Sequence, residues 1–195
     1  MKKRFWLFLL LVAVMLISIQ ALAQDGFYVV GGGGAVGTKI TSAPYTITTP
    51  GFYYLGKNLD GTIDIHSDHV TLDLMGFTIT GSGAGSGYGV SIGGSSPMKN
   101  VEVRNGTIRE FVYGIAAFFT SPPEMCHKII NVRVIDNIDF GIYMPGSGHI
   151  IKGCTAYANG GTGIRCSNSL LINNVSTLNG TNVSGTGNTL VDNRF

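Results

Sequence analysis

A Gly-aliphatic step recurs along this chain, and it constrains the fold more than any other feature. It reads YGVSI at Tyr88–Ile92, YGIAA at Tyr113–Ala117, FGIYM at Phe140–Met144 and TGIRC at Thr162–Cys166. The glycines Gly89, Gly114, Gly141 and Gly163 are separated by 25, 27 and 22 residues. A recurrence at that interval means a stack of similar supersecondary units, each of which buries its apolar side only against its neighbours.

Two further columns keep company with the first. GFTIT (76–80), GTIRE (106–110), RVIDN (133–137), TAYAN (155–159) and STLNG (176–180) align on Ile79, Ile108, Ile135, Tyr157 and Leu178. HVTLDL (69–74), NVEV (100–103), KIIN (128–131), HIIK (149–152) and LLIN (170–173) form the other. Apolar and polar residues alternate, as in Val70, Leu72 and Leu74 against Thr71 and Asp73, which is the period of a half-buried strand. No stretch of the chain after residue 23 carries a useful helical period.

Three short strands per turn predict an all-β fold, a single-stranded right-handed parallel β-helix of about five rungs with an N-terminal cap, turns lying ~4.8 Å apart. Asn131 and Asn174 are expected at equivalent bends, before Val132 and Val175, where asparagine tolerates a left-handed backbone. A β-sandwich would instead show antiparallel hairpins without a constant internal register. The open ends of a stack need covering. Residues 24–61 are expected to form an N-terminal cap with one or two entry strands over residues 40–55, residues 62–195 to form the β-helix, and Phe195 to plug the far end.

Residues 1–23 read as a secretory signal. Lys2, Lys3 and Arg4 precede an apolar run over residues 5–19, and Ala21-Leu22-Ala23 supplies the small residues of a cleavage site before Gln24. A retained membrane anchor is the alternative, for which the run is short. The reading places the protein in the periplasm or outside a bacterial cell. Without those three cations, ten basic side chains face eleven acidic ones. There is no basic cluster and no zinc-ligand spacing, which argues against nucleic acid as a partner. Cys126, Cys154 and Cys166 form an odd set. They read as small buried thiols, with one disulfide plus a free thiol as the alternative.

The columns resemble the right-handed parallel β-helix repeats of the pectate-lyase-like superfamily, including its NosD-type and epimerase-type members. The stretch TTPGFYYLGKNLDGTIDIHSDHVTLDLMGFTITG (48–81) is similar to the lead-in segment of exported bacterial proteins of that kind. The resemblance implies an acidic polysaccharide as partner, bound and in some members cleaved or epimerised. A surface, adhesive or scaffold module without turnover is the other expectation.

Candidate sites follow. Asp73 and Glu102 have outward parity in one column of successive turns, with Arg104 two residues on. The resemblance implies that such carboxylates hold Ca²⁺ and that the arginine acts as a base beside a uronate. The cluster Asp64, His66, Asp68 and His69 matches two positions of an epimerase motif and also reads as a plain turn. His127 and His149 begin successive turns as half-exposed edge residues or as a metal pair. Asp136 and Asp139 share a bend. Long loops at 81–87, 93–98 and 119–125 are expected to wall a groove on the early turns.

Overall fold

In a computed structural model, residues 37–83, 87–93, 98–118 and 126–195 are described. Among them every regular element is a β-strand and the strands pair in parallel. The chain is a β-solenoid. Strands β1 (Thr38–Ile40) and β2 (Tyr45–Ile47) lead into six complete turns. The first is β3 (Gly51–Leu55), β4 (Leu59–Asp60) and β5 (Ile63–Ile65); the second is β6 (Val70–Asp73), β7 (Thr78–Thr80) and β8 (Tyr88–Ile92). In the third and fourth, one long strand bends over two faces: β9 (Glu102–Arg109) with β10 (Tyr113–Ala117), then β11 (Lys128–Ile135) with β12 (Phe140–Met144). The fifth is β13 (Ile150–Lys152), β14 (Thr155–Tyr157) and β15 (Thr162–Cys166). The sixth is β16 (Leu170–Ile172), β17 (Val175–Thr177) and β18 (Thr181–Ser184), and β19 (Thr189–Val191) begins another.

Residues 24–36 of the expected cap lie outside the described residues. The strands of its C-terminal part pair along the stack: β1 pairs with β3, β3 with β6, β2 with β5 and β4 with β7.

The core is a set of axial ladders. Tyr53, Leu72, Val103, Ile129, Ile151 and Leu171 superpose on the first face. Ile63, Val90, Ile115, Ile142 and Ile164 superpose on the third. All but Tyr53 are 0 % exposed. Fully burying each such aliphatic side chain contributes about 1.5–3 kcal/mol.

The Gly-aliphatic column is in register, and its glycines are needed for space. A Cβ on Gly114 would lie 2.6 Å from the Gly141 carbonyl oxygen, and one on Gly141 2.6 Å from that of Gly163. Their neighbours are the Val134 methyls and the amides of Asn137 and Asn159, which already fill the corner.

The second column needs correction by one residue. Ile79 pairs with Ile108, but Ile108 pairs with Val134 rather than Ile135. The inward series continues through Ala156 and Ser176. Ile135 does superpose on Tyr157, yet on the outer surface, where Tyr157 is exposed, and Tyr157 pairs with Thr177 rather than Leu178. Inward side chains shrink along this face from Ile108 to Ser176 while Ile135 and Tyr157 stand outside it, so hydrophobicity alone selects the wrong parity. Asn131 and Asn174 are offset in the same way. Asn131 has φ 54° and aligns with Asn173, φ 53°, through Gly153, whereas Asn174 is 0 % exposed inside the stack.

Many corners share one construction: a left-handed residue followed by an inward ladder residue. At one corner Glu110, Asp136, Ala158 and Leu178 have positive φ and precede Phe111, Asn137, Asn159 and Asn179. At another Cys126 and Asn168 precede His127 and Ser169. Inward side chains then take the amide hydrogens that the bend leaves unpaired, which a buried backbone requires. Asn137 Oδ1 accepts from the Phe111 N–H, Asn159 Oδ1 from the N–H and Nδ2 of Asn137, and Asn179 Oδ1 from those of Asn159. Asn174 and Asn193 repeat the device beneath Cys154.

Cys154 and Cys166 are buried, and burial pushes their thiols up to about 11 and about 12. Cys126, expected inside, is exposed at its left-handed corner, and all three thiols are free.

Candidate functional site

Asp73, Glu102 and Arg104 do meet, in an arrangement different from two stacked acids. Asp73 pairs in register with Arg104, and Glu102 with Thr71. The guanidinium lies against both carboxylates: Arg104 Nε donates to Asp73 Oδ2 at 2.8 Å and Nη1 to Glu102 Oε1 at 3.0 Å. Asp73 is buried and also accepts from the Met75 N–H and from Asn105 Nδ2. Its oxygens are occupied by donors of the chain. Hydrogen bonding to Asp73, then its charge, pushes the Arg104 pKa further up, away from what a general base needs. Among the described residues no group of three or more His, Cys, Asp or Glu is placed to hold a metal ion.

The Asp64 to His69 cluster is divided: Asp64 lies in β5, and residues 66–69 form the bend that leads to β6. Asp68 Oδ1 accepts from the Lys99 N–H, His69 has φ 56°, and its Nδ1 lies 3.0 Å from Asn100 Nδ2. His66 is exposed. Asp136 lies 3.6 Å from Arg109 at its corner.

His127 and His149 are not half-exposed: they are 0 % and 1 % exposed, with rings stacked at 5.4 Å. They do at the third corner what asparagine does at the others. His127 Nδ1 accepts from the Val101 N–H, and His149 Nδ1 from the His127 N–H. That puts the ring proton on Nε2, which in His149 donates to the Pro145 carbonyl. Burial, then the neighbouring His149, lowers His127 to about 3, and burial lowers His149. With Nδ1 committed to the backbone, the pair has no lone pair facing solvent for a metal.

Of the long loops, residues 84–86, 94–97 and 119–125 lie outside the described residues, so the groove expectation falls there.

What the structure adds is an aromatic ridge on the outer surface of the sheet containing β8, β10, β12 and β15. Tyr88, Tyr113 and Phe140 superpose on successive turns. Their ring centroids are 5.4 Å and 5.2 Å apart, the second pair within 5° of parallel. Tyr143 packs edge-on to Tyr113 and Phe140, and Phe118 edge-on to Tyr88. Arg165, in register with Tyr143, lies 5.5 Å from the Tyr143 ring centre and 5.8 Å from that of Phe140. It is exposed and has no carboxylate partner among the described residues. The hydroxyls of Tyr88, Tyr113 and Tyr143 have no protein hydrogen bond among the described residues and are not sealed off. Asp139 beside the ridge helps raise the Tyr113 pKa, after burial. The sequence signal was an aromatic residue immediately before three of the four column glycines, visible once the glycine is read as the inward neighbour of an outward ring.

Comparison with protein-family models, with curated proteins and with solved structures finds no match to this chain.

Proposed function

We propose that this is an exported β-helix of the pectate-lyase-like kind that binds an acidic polysaccharide along the ridge from Tyr88 to Arg165. The observation that supports this is the pairing of stacked rings with an exposed, uncommitted guanidinium. Ring edges and free phenol hydroxyls suit a polyhydroxylated chain, and the guanidinium suits its carboxylates. Turns of a solenoid repeat at ~4.8 Å, close to the length of one sugar in an extended polymer, so a chain lying along the axis meets an equivalent row at each turn. Binding rather than turnover is the favoured role, because the acid-base constellation at Asp73 is spent on its own arginine.

Isothermal titration with polygalacturonate and alginate, against neutral dextran, tests this. Binding to the acidic polymers, weakened by salt and reduced about tenfold or more by Arg165→Ala, is the expected result. Equal binding of dextran, or unchanged affinity in Arg165→Ala, contradicts it. A rise in unsaturated-uronate absorbance that Arg104→Ala abolishes would return the chemistry to Asp73, Glu102 and Arg104.

A further inference from the structure

We propose that Asp139 is a specificity-determining residue of the ridge, accepting from two neighbouring hydroxyls of the uronate whose carboxylate lies on Arg165. The inference rests on the polysaccharide reading above and narrows its ligand to uronans whose ring hydroxyls are free. The ring column ends in a step. By the register of β12 on β15, Thr162 follows Tyr88, Tyr113 and Phe140 in that column. Gly160 and Gly161 come immediately before it, so beyond the half-buried Phe140 ring the surface drops to bare backbone. Asp139 leans over this step: its Oδ1 occupies the place that a Cβ on Gly161 would take. Arg165 lies against the same Phe140 ring and against Tyr143.

The corner itself does not need an acid at this place. Val112, Asp139 and Gly161 hold equivalent positions on successive turns, joined by backbone bonds from the Asp139 N–H to the Val112 carbonyl and from the Gly161 N–H to the Asp139 carbonyl. Among the described residues the Asp139 carboxylate has no hydrogen bond and no ion pair. It stands near Arg165 without pairing with it. Tyr113 feels both charges: burial and then Asp139 raise its pKa, while Arg165 opposes them. An ionised carboxylate offers acceptors only, and set against an acidic polymer it repels unless donors meet it. Neighbouring sugar hydroxyls supply two donors to its two oxygens in charge-assisted bonds. A uronate thus satisfies both charges at once, its carboxylate on the guanidinium and its hydroxyls on Asp139. An ester on either hydroxyl removes a donor and leaves Asp139 facing an oxygen.

The test is isothermal titration of polygalacturonate oligomers, and of the same oligomers acetylated at their ring hydroxyls, into the wild-type chain, Asp139→Ala and Arg165→Ala. The wild type should bind the free-hydroxyl form about tenfold or more tightly than the acetylated one. Asp139→Ala should lower affinity for the free form by a similar factor and abolish the preference, with an unchanged circular dichroism spectrum. Arg165→Ala should weaken both forms and keep the preference. Arg165-dependent binding in which the wild type does not distinguish the two forms overturns this inference and leaves the polysaccharide reading standing. So does an Asp139→Ala chain that binds the free form as tightly as the wild type or more tightly, for then the carboxylate only repels. A wild type that binds neither form overturns both.

Discussion

At the residue scale, the buried histidines make the largest difference between what a side chain does here and what its type suggests. His127 and His149 are acceptors for backbone amides in a dry corner. Their folded pKa values lie below the ordinary value of about 6.5 that an unfolded chain shows. As pH falls below about 6.5 the unfolded chain takes protons that the folded chain refuses, so stability is full above that pH and is lost toward the folded value of about 3 at His127. His127 contributes up to about 1.4 kcal/mol per pH unit in that window, and His149 acts in the same direction. Urea unfolding at pH 7.0 and pH 4.5 should therefore show a loss that His127→Asn reduces, since asparagine performs the same task at the other corners. Gly141 offers a second test. Gly141→Ala drives a Cβ against the Gly163 carbonyl and the Val134 methyl, and should destabilise by about 1–3 kcal/mol in the same assay. The glycine was legible as a repeat; its reason, the approach of the next turn, was not, because it depends on which side of the strand faces the axis.

At the element scale, the corners determine which residues can superpose. A left-handed residue followed by an inward one switches the side-chain parity, so the alternation cannot be counted through the bend. That accounts for the one-residue error at Ile135 and at Asn174. The strands themselves were plain from Val70, Leu72 and Leu74, whereas a corner written Ala158-Asn159 or Leu178-Asn179 carries no consistent turn signature. The asparagine ladder fastens these corners. Asn159 accepts from the Asn137 N–H and Nδ2 and donates to the Val134 carbonyl. Asn159→Leu leaves those groups unpaired in a buried corner and should cost about 3 kcal/mol or more. Thermal unfolding would read this as a clear drop in Tm, and a change within error would mean that the ladder is ornamental.

At the scale of the whole molecule, a solenoid converts a sequence repeat into a surface repeat. The inward columns needed only aliphatic side chains at the right spacing, and so the architecture could be read from Ile79, Ile108 and the four glycines. The outward columns are free to vary, and here they place three rings and an arginine on consecutive turns. Asp73, Glu102 and Arg104 stand out in the sequence by their outward parity in one column of successive turns; in three dimensions they satisfy each other. The ridge was harder to read because Tyr88, Tyr113 and Phe140 look like core residues until their parity is known. A ligand that follows the axis should gain affinity with each sugar until the ridge is covered, and then no further. Titration with uronate oligomers of increasing length measures this directly. Affinity is expected to climb to about four sugars, one per turn from β8 to β15, and then level off, with Tyr113→Ala and Arg165→Ala lowering the plateau. Affinity that is absent at every length, or that rises with length as steeply in the variants as in the wild type, would contradict the account.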